Sequence, residues 1–284
     1  MDYFNTYTPV AQLTSIRTVL AFAAAEDLET GQINIKGAYL NGELTADEVL
    51  YMKQPPGYAM KGPDGKVLTA CLHKSIYGLK QAGCQWYQKL VEIMTKLKFM
   101  RSEVDSAVFY RRDELLKMLI IILVHVDDCS IVGHLKSVIQ KFKLEIQKYV
   151  QITDLGDLHW ILGIEVHQIR EDKRIMLSQR SYIKLILQHY GFDDTKPIST
   201  PMDTNIRLTS AQSPTTTEEF ARMCNIPYHE VVGSLMYTSL GTRPDKMNAL
   251  SLTQENIINL HKSKGCTKIH NSQNPTKYMF VLAR

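Results

Sequence analysis

The chain has 284 residues, 44% of them hydrophobic and 22% charged, which is ordinary for a globular protein and excludes a fibrous or low-complexity one. A net charge of +4 is mildly basic, compatible with a nucleic-acid partner without demanding one. Cys71, Cys84, Cys129, Cys224 and Cys266 are scattered with no C-x-x-C pair, and the nine histidines show no metal-ligand spacing, so reduced thiols are expected and a zinc site is not.

In chain order, residues 13–27 (LTSIRTVLAFAAAED) have helical spacing, with Ile16, Leu20 and Ala23 on one face and Thr14 or Ser15 as N-cap. Gly31 reads as the end of that helix, and 32–40 (QINIKGAYL) as a short strand running into a turn. Two consecutive prolines make 51–58 (YMKQPPGY) a loop. Residues 67–72 read as a strand, 85–96 as a helix with Tyr87, Leu90, Val91 and Met94 on its apolar face, and 107–111 as a strand. The stretch 119–133 (LIIILVHVDDCSIVG) reads as two buried strands of a hairpin, with Asp127 and Asp128 in its tight turn.

Beyond the hairpin, 136–149 is an amphipathic helix with Val138, Ile139, Phe142 and Ile146 inward, and 158–166 and 174–177 read as strands. Helices follow at 181–190, 218–225 and 228–240, with a proline-bearing linker at 195–214. Mixed strands and helices followed by helices alone predict an α+β domain over 1–175, a helical subdomain over 176–250 and a degenerate or poorly ordered tail at 251–284. Connections too short for crossover helices favour antiparallel strands.

Two carboxylates at the edge of an apolar sheet are costly unless a positive group, commonly a divalent metal, sits against them; solvated turn residues are the alternative. The segments 75–87 (SIYGLKQAGCQWY) and 34–42 (NIKGAYLNG) each also read as ordinary structure when taken alone.

Taken together, these segments resemble the reverse transcriptase of copia-type LTR retrotransposons. YTPVAQLTSIR (7–17) resembles the opening palm segment, and QINIKGAYLNG (32–42) the first catalytic motif, where the family has an aspartate at position 34. YMKQPPGY (51–58), SIYGLKQA (75–82) and HVDD (125–128, for the family's Y-V-D-D) follow in order. LGDLHWILGIEV (155–166), LSQRSYI (177–183) and PYHEVVGSLMYTSLGTRPD (227–245) complete the series.

The resemblance implies a right-hand polymerase: an antiparallel palm sheet flanked by helices with partial fingers, then a helical thumb-like subdomain. It implies RNA-directed DNA synthesis on an RNA or DNA template-primer from deoxynucleoside triphosphates, with two Mg²⁺ ions in in-line phosphoryl transfer. By position, Asp127 and Asp128 match the paired metal-binding aspartates, and Tyr39, beside Ala38, the aromatic gate against a ribose 2′ hydroxyl. Gln81 matches a glutamine of the nucleotide pocket, Lys80 and Arg17 are candidate phosphate contacts, and Leu162, Gly163 and Ile164 fall at the primer grip. Other retroelement polyprotein parts are implied as partners. No signal peptide is visible, and the longest apolar runs, 19–25 and 118–124, are too short to span a bilayer. The expected location is therefore intracellular, in cytoplasm, nucleus or virus-like particles, with no membrane partner.

Departures accompany the matches. Asn34 stands where the family has aspartate, and neither Glu29, placed before the strand, nor Glu43, beyond the turn, replaces it in register. His125 replaces tyrosine, and Gly83-Cys84 replaces Pro-Arg. The family's basic fingers segment would precede this stretch and its ribonuclease H domain would follow it. An impaired polymerase is one reading; a non-catalytic element remnant or nucleic-acid-binding fragment is the other.

Overall fold

The run of Ile, Leu and Val at 119–124 has no polar face, so it suits a strand with both faces of its sheet covered. The computed structural model describes residues 6–44, 48–112, 118–192, 216–218, 221, 227–248 and 250–251, and it places that run inside a six-stranded sheet. Its helices are α1 (Leu13–Ala25), α2 (Ala82–Lys96), α3 (Lys136–Ile146), α4 (Arg180–His189) and α5 (Tyr228–Gly241). Its strands are β1 (Glu29–Ile35), β2 (Leu50–Lys53), β3 (Thr69–Leu72), β4 (Met100–Arg101), β5 (Val108–Arg112) and β6 (Leu119–His125). They continue with β7 (Asp128–Gly133), β8 (Ile152–Gly156), β9 (Trp160–Ile161), β10 (Ile164–Ile169) and β11 (Arg174–Ser178).

The large sheet runs β4-β5-β6-β7-β1-β8, with antiparallel pairing, and β2 and β3 form a separate antiparallel ribbon. A third sheet has the order β11-β10-β9. The protein is thus mixed α and β with antiparallel sheets, as its element order predicts. On one face of the large sheet, Ile33, Ile35, Cys129 and Ile131 pack with Trp86, Leu90, Ile93 and Met94 of α2 and Ile139, Phe142 and Ile146 of α3. On the other face Ala23 of α1 packs with Leu28 and Val132.

Contacts divide the chain into two compact units, Met1–Ile161 with His167–Met176, and Leu162–Val166 with Leu177–Arg284. In the second unit Ile186 and Leu187 of α4 pack with Val231, Val232 and Leu235 of α5 and with Leu250. No helix among the described residues is long and apolar enough to cross a membrane.

Several local expectations need correction. Gly31 does not end α1; it lies inside β1, where a Cβ would stand 3.0 Å from Ile139 Cγ2, so the glycine admits the close approach of α3. α1 starts after an uncapped Gln12, leaving Thr14 and Ser15 in its first turn. The 51–58 segment is only partly loop: residues 51–53 extend β2, and both prolines lie beyond it. The 158–166 stretch is broken at Leu162 and Gly163, both in left-handed conformation, into β9 and β10. The helix at 218–225 and the linker at 195–214 lie almost wholly outside the described residues, as does the tail beyond residue 251.

Candidate functional site

The β6–β7 hairpin turns on two residues, Val126 and Asp127. Val126 has φ +60°, a left-handed conformation that a β-branched side chain adopts only under constraint. The constraint comes from two neighbours. The indole N–H of Trp86, buried on α2, donates to the Val126 carbonyl at 2.8 Å, and the Ile35 amide of β1 donates to the Asp127 carbonyl at 2.8 Å. The turn is therefore held from below by a helix and from the side by the neighbouring strand, and it presents Asp127 and Asp128 half-buried at the sheet's end.

Register places the third residue of the set. Asn34 pairs directly with Asp128 across β1 and β7, and His125 pairs with Asp128 across the hairpin. Asn34 alternates with the inward Ile33 and Ile35, as Asp128 does with Cys129, so the two side chains share the face opposite the main core. There the Asn34 amide nitrogen donates to Asp128 Oδ1 at 3.2 Å. Glu29 is not before the strand, as the sequence reading has it, but opens β1 at its far end, where Arg170 bonds it at 2.5 Å. Glu43 lies past the turn and pairs with Lys89 at 3.2 Å. Among the described residues no three His, Cys, Asp or Glu side chains converge as metal ligands. Asp127 and Asp128 are hard oxygen donors suited to a divalent cation, but the third position brings a neutral amide that points a donor at one of them. This donor set does not fit a pair of divalent ions.

The remaining expected residues divide. Tyr39 stands on a 3-10 turn, Ala38–Asn41, that follows Gly37 in left-handed conformation; Ala38 is buried in the core. The Tyr39 carbonyl accepts the Ser75 hydroxyl, and its ring lies 4.9 Å from that of Tyr77 at a tilt of 55°. Desolvation, then the charge of Asp127, then Tyr39 push the Tyr77 phenol up, so this aromatic pair lies within the electrostatic reach of the turn. Desolvation, then Asp128 and Asp127, likewise raise the buried Cys129 thiol beneath the carboxylates. Gln81, at the N-terminus of α2, is buried, and its amide nitrogen has no hydrogen-bond partner. Lys80 and Arg17 are exposed. From sequence, Trp86 reads as an aromatic core residue of a helix and Tyr77 as part of a loop; only the hydrogen bond and the ring pairing reveal what they hold.

Leu162, Gly163 and Ile164 belong to the second unit. The Leu162 carbonyl accepts the Tyr237 hydroxyl of α5, and a Cβ on Gly163 would lie 3.2 Å from that oxygen. Tyr182 of α4 meets Tyr237 edge-on, with ring centroids 4.9 Å apart.

Residues 1–204 match the family model described as reverse transcriptase (RNA-dependent DNA polymerase). The chain belongs to this reverse transcriptase family. It is 38% identical over 259 residues to the Retrovirus-related Pol polyprotein from transposon TNT 1-94 of Nicotiana tabacum, a match that covers 91% of this chain and 19% of that protein. It is 36% identical over 255 residues to the Pol polyprotein from transposon RE2 of Arabidopsis thaliana, covering 88% of this chain and 16% of that one. These relatives place the chain among the reverse transcriptase domains of copia-type elements, and it spans about a fifth or less of their length. Among solved structures, apo telomerase from Candida Tropicalis aligns over 60% of this chain and 40% of its own at 11% identity and a TM-score of 0.36, too slight a likeness to establish a shared fold.

Proposed function

We propose that this reverse transcriptase domain descends from an RNA-directed DNA polymerase and is catalytically impaired, because the first metal-binding aspartate is Asn34. The six-stranded sheet is read as the palm, α4 and α5 as part of a thumb, and Asp127 and Asp128 as the surviving metal carboxylates. Tyr39 and Ala38 take the sugar-gating position, Gln81 the nucleotide pocket, Lys80 and Arg17 the phosphates, and Leu162, Gly163 and Ile164 the primer grip. The substrates are a template-primer and deoxynucleoside triphosphates, and the natural context is a longer Pol polyprotein.

The observation that carries this reading is the 3.2 Å hydrogen bond from the Asn34 amide to Asp128. Polymerases of this kind use Mg²⁺ ions on carboxylates to activate the primer 3′ hydroxyl and stabilise the leaving phosphates. Substituting an amide removes a negative charge from that work, which costs several kcal/mol of transition-state stabilisation, about 10²-fold or more in rate. Primer extension with Mg²⁺ tests it. The unchanged chain is expected to incorporate nucleotides slowly or not at all, and Asn34→Asp to raise the rate by about 10² or more. Efficient template-directed synthesis by the unchanged chain would overturn the impairment. If neither protein extends a primer while both bind it, the non-catalytic nucleic-acid-binding reading replaces this one.

A further inference from the structure

The hydrogen bond at Asn34 settles a problem of charge at the sheet's end. Asp127 and Asp128 are adjacent, half-buried carboxylates on one turn, and a carboxylate in such a place is stabilised by water, a donor or a cation. Asp128 already has one: the Asn34 amide, directly across the strand pair, donates to it at 3.2 Å and adds no charge of its own. An aspartate at position 34 would instead set a third carboxylate directly opposite Asp128, and like charges directly opposite each other destabilise a strand pair.

We infer that the Asn34 amide holds Asp128 in place of a divalent cation, so that this end of the sheet is stable without metal and gains nothing from it. The inference rests on reading position 34 as the lost metal-binding position. It concerns the fold rather than the rate, so it is measured without nucleotide or primer. Both partners lie on strands fixed by other bonds, since β1 and β7 pair continuously from Glu29 and Gly133 to Asn34 and Asp128. The amide therefore meets Asp128 through register alone, and exchanging the two side chains should preserve the contact.

Thermal unfolding of the full chain in EDTA, and then in millimolar Mg²⁺ or Mn²⁺, reads this directly. The unchanged chain is expected to melt at one temperature in all three. Asn34→Asp is expected to melt about 2–4 °C lower in EDTA and to recover with either metal. The exchanged variant, Asn34→Asp with Asp128→Asn, restores one amide and one carboxylate, and it is expected to melt like the unchanged chain and to ignore metal. Stabilisation of the unchanged chain by metal to the same extent as Asn34→Asp would overturn the inference, as would an Asn34→Asp protein equally stable in EDTA. Should Asn34→Asp alone fail to fold, the exchanged variant decides: folded and metal-silent supports the inference, unfolded or metal-requiring overturns it. Metal stabilisation of the unchanged chain leaves the impaired-polymerase reading standing. Efficient primer extension by a chain that shows no thermal response to metal overturns that reading alone.

Discussion

Of the two donors that hold the strained turn at Val126, one is a side chain. Trp86 is 1% exposed and its indole N–H is bonded to the Val126 carbonyl at 2.8 Å, so Trp86→Phe keeps most of the apolar volume while leaving that carbonyl without its donor. The expected cost is about 1–3 kcal/mol, seen as a lowered urea midpoint with an unchanged slope; a midpoint equal to that of the unchanged chain would show that the turn is held by the strands alone. Cys129 tests the electrostatics of the same place. Its thiol is wholly buried, and desolvation with the charges of Asp128 and Asp127 hold it well above the ordinary thiol range. Because the thiolate is the nucleophile, native Cys129 is expected to resist iodoacetamide at mildly alkaline pH while exposed Cys71 reacts. Peptide mass mapping checks this, and labelling of Cys129 at the rate of Cys71 would refute it.

At the level of elements, the edge strand β8 is tied to α3 by a side-chain tether. Lys143 of α3, 4% exposed along its side chain, bonds the Asp154 carboxylate of β8 and also reaches the Gly156 carbonyl at 3.4 Å. Burial alone would raise the Asp154 carboxyl, but the Lys143 bond and the Gly156 amide bring it below the ordinary value. A depressed carboxylate contributes stability above its unfolded pKa and loses it as the pH falls through the folded one. Asp154→Asn is therefore expected to cost about 1–2 kcal/mol near pH 7, the half-exposed carboxylate being screened, with the difference shrinking below about pH 4. Urea midpoints at neutral and acid pH measure it, and a pH-independent difference would show that the tether is not ionic. This strand also marks where the sequence was hard to read. The 119–133 hairpin was legible because its strands carry long apolar runs, 119–124 and 131–132 with buried Cys129, that are covered on both faces. Residues 152–156 (ITDLG) carry no such run, since a strand at a sheet edge needs little apolar surface, and the pairing that makes them β8 is with β1, far off in sequence. Gly31 misled for a related reason: helix stops and strand close approaches use the same residue, and only the packing of Ile139 distinguishes them. Asn34 could be placed as a departure from a family motif, yet its hydrogen bond to Asp128 follows from the β1–β7 register, which no local pattern states.

For the molecule as a whole, holding a nucleic acid and joining nucleotides call on different groups. Grip on a phosphate backbone comes from Lys and Arg through release of counterions, and it needs no carboxylate. With 33 Lys and Arg against 29 Asp and Glu the chain is only mildly basic, so its affinity for a template-primer should be modest and governed by salt. Asn34 and Asp128 contribute nothing to that attraction, because the amide is neutral and the carboxylate repels phosphate. The unchanged chain and Asn34→Asp are therefore expected to bind a labelled template-primer within about twofold of each other in EDTA, both losing affinity as a linear function of the logarithm of salt concentration. Fluorescence anisotropy across a salt series measures both slopes. A much weaker grip in Asn34→Asp would mean that the sheet end itself contacts the backbone, since the added carboxylate would then stand against a phosphate. Equal slopes, together with unequal primer extension, would assign the difference between the two proteins to the chemistry at Asp127 and Asp128 rather than to binding of nucleic acid.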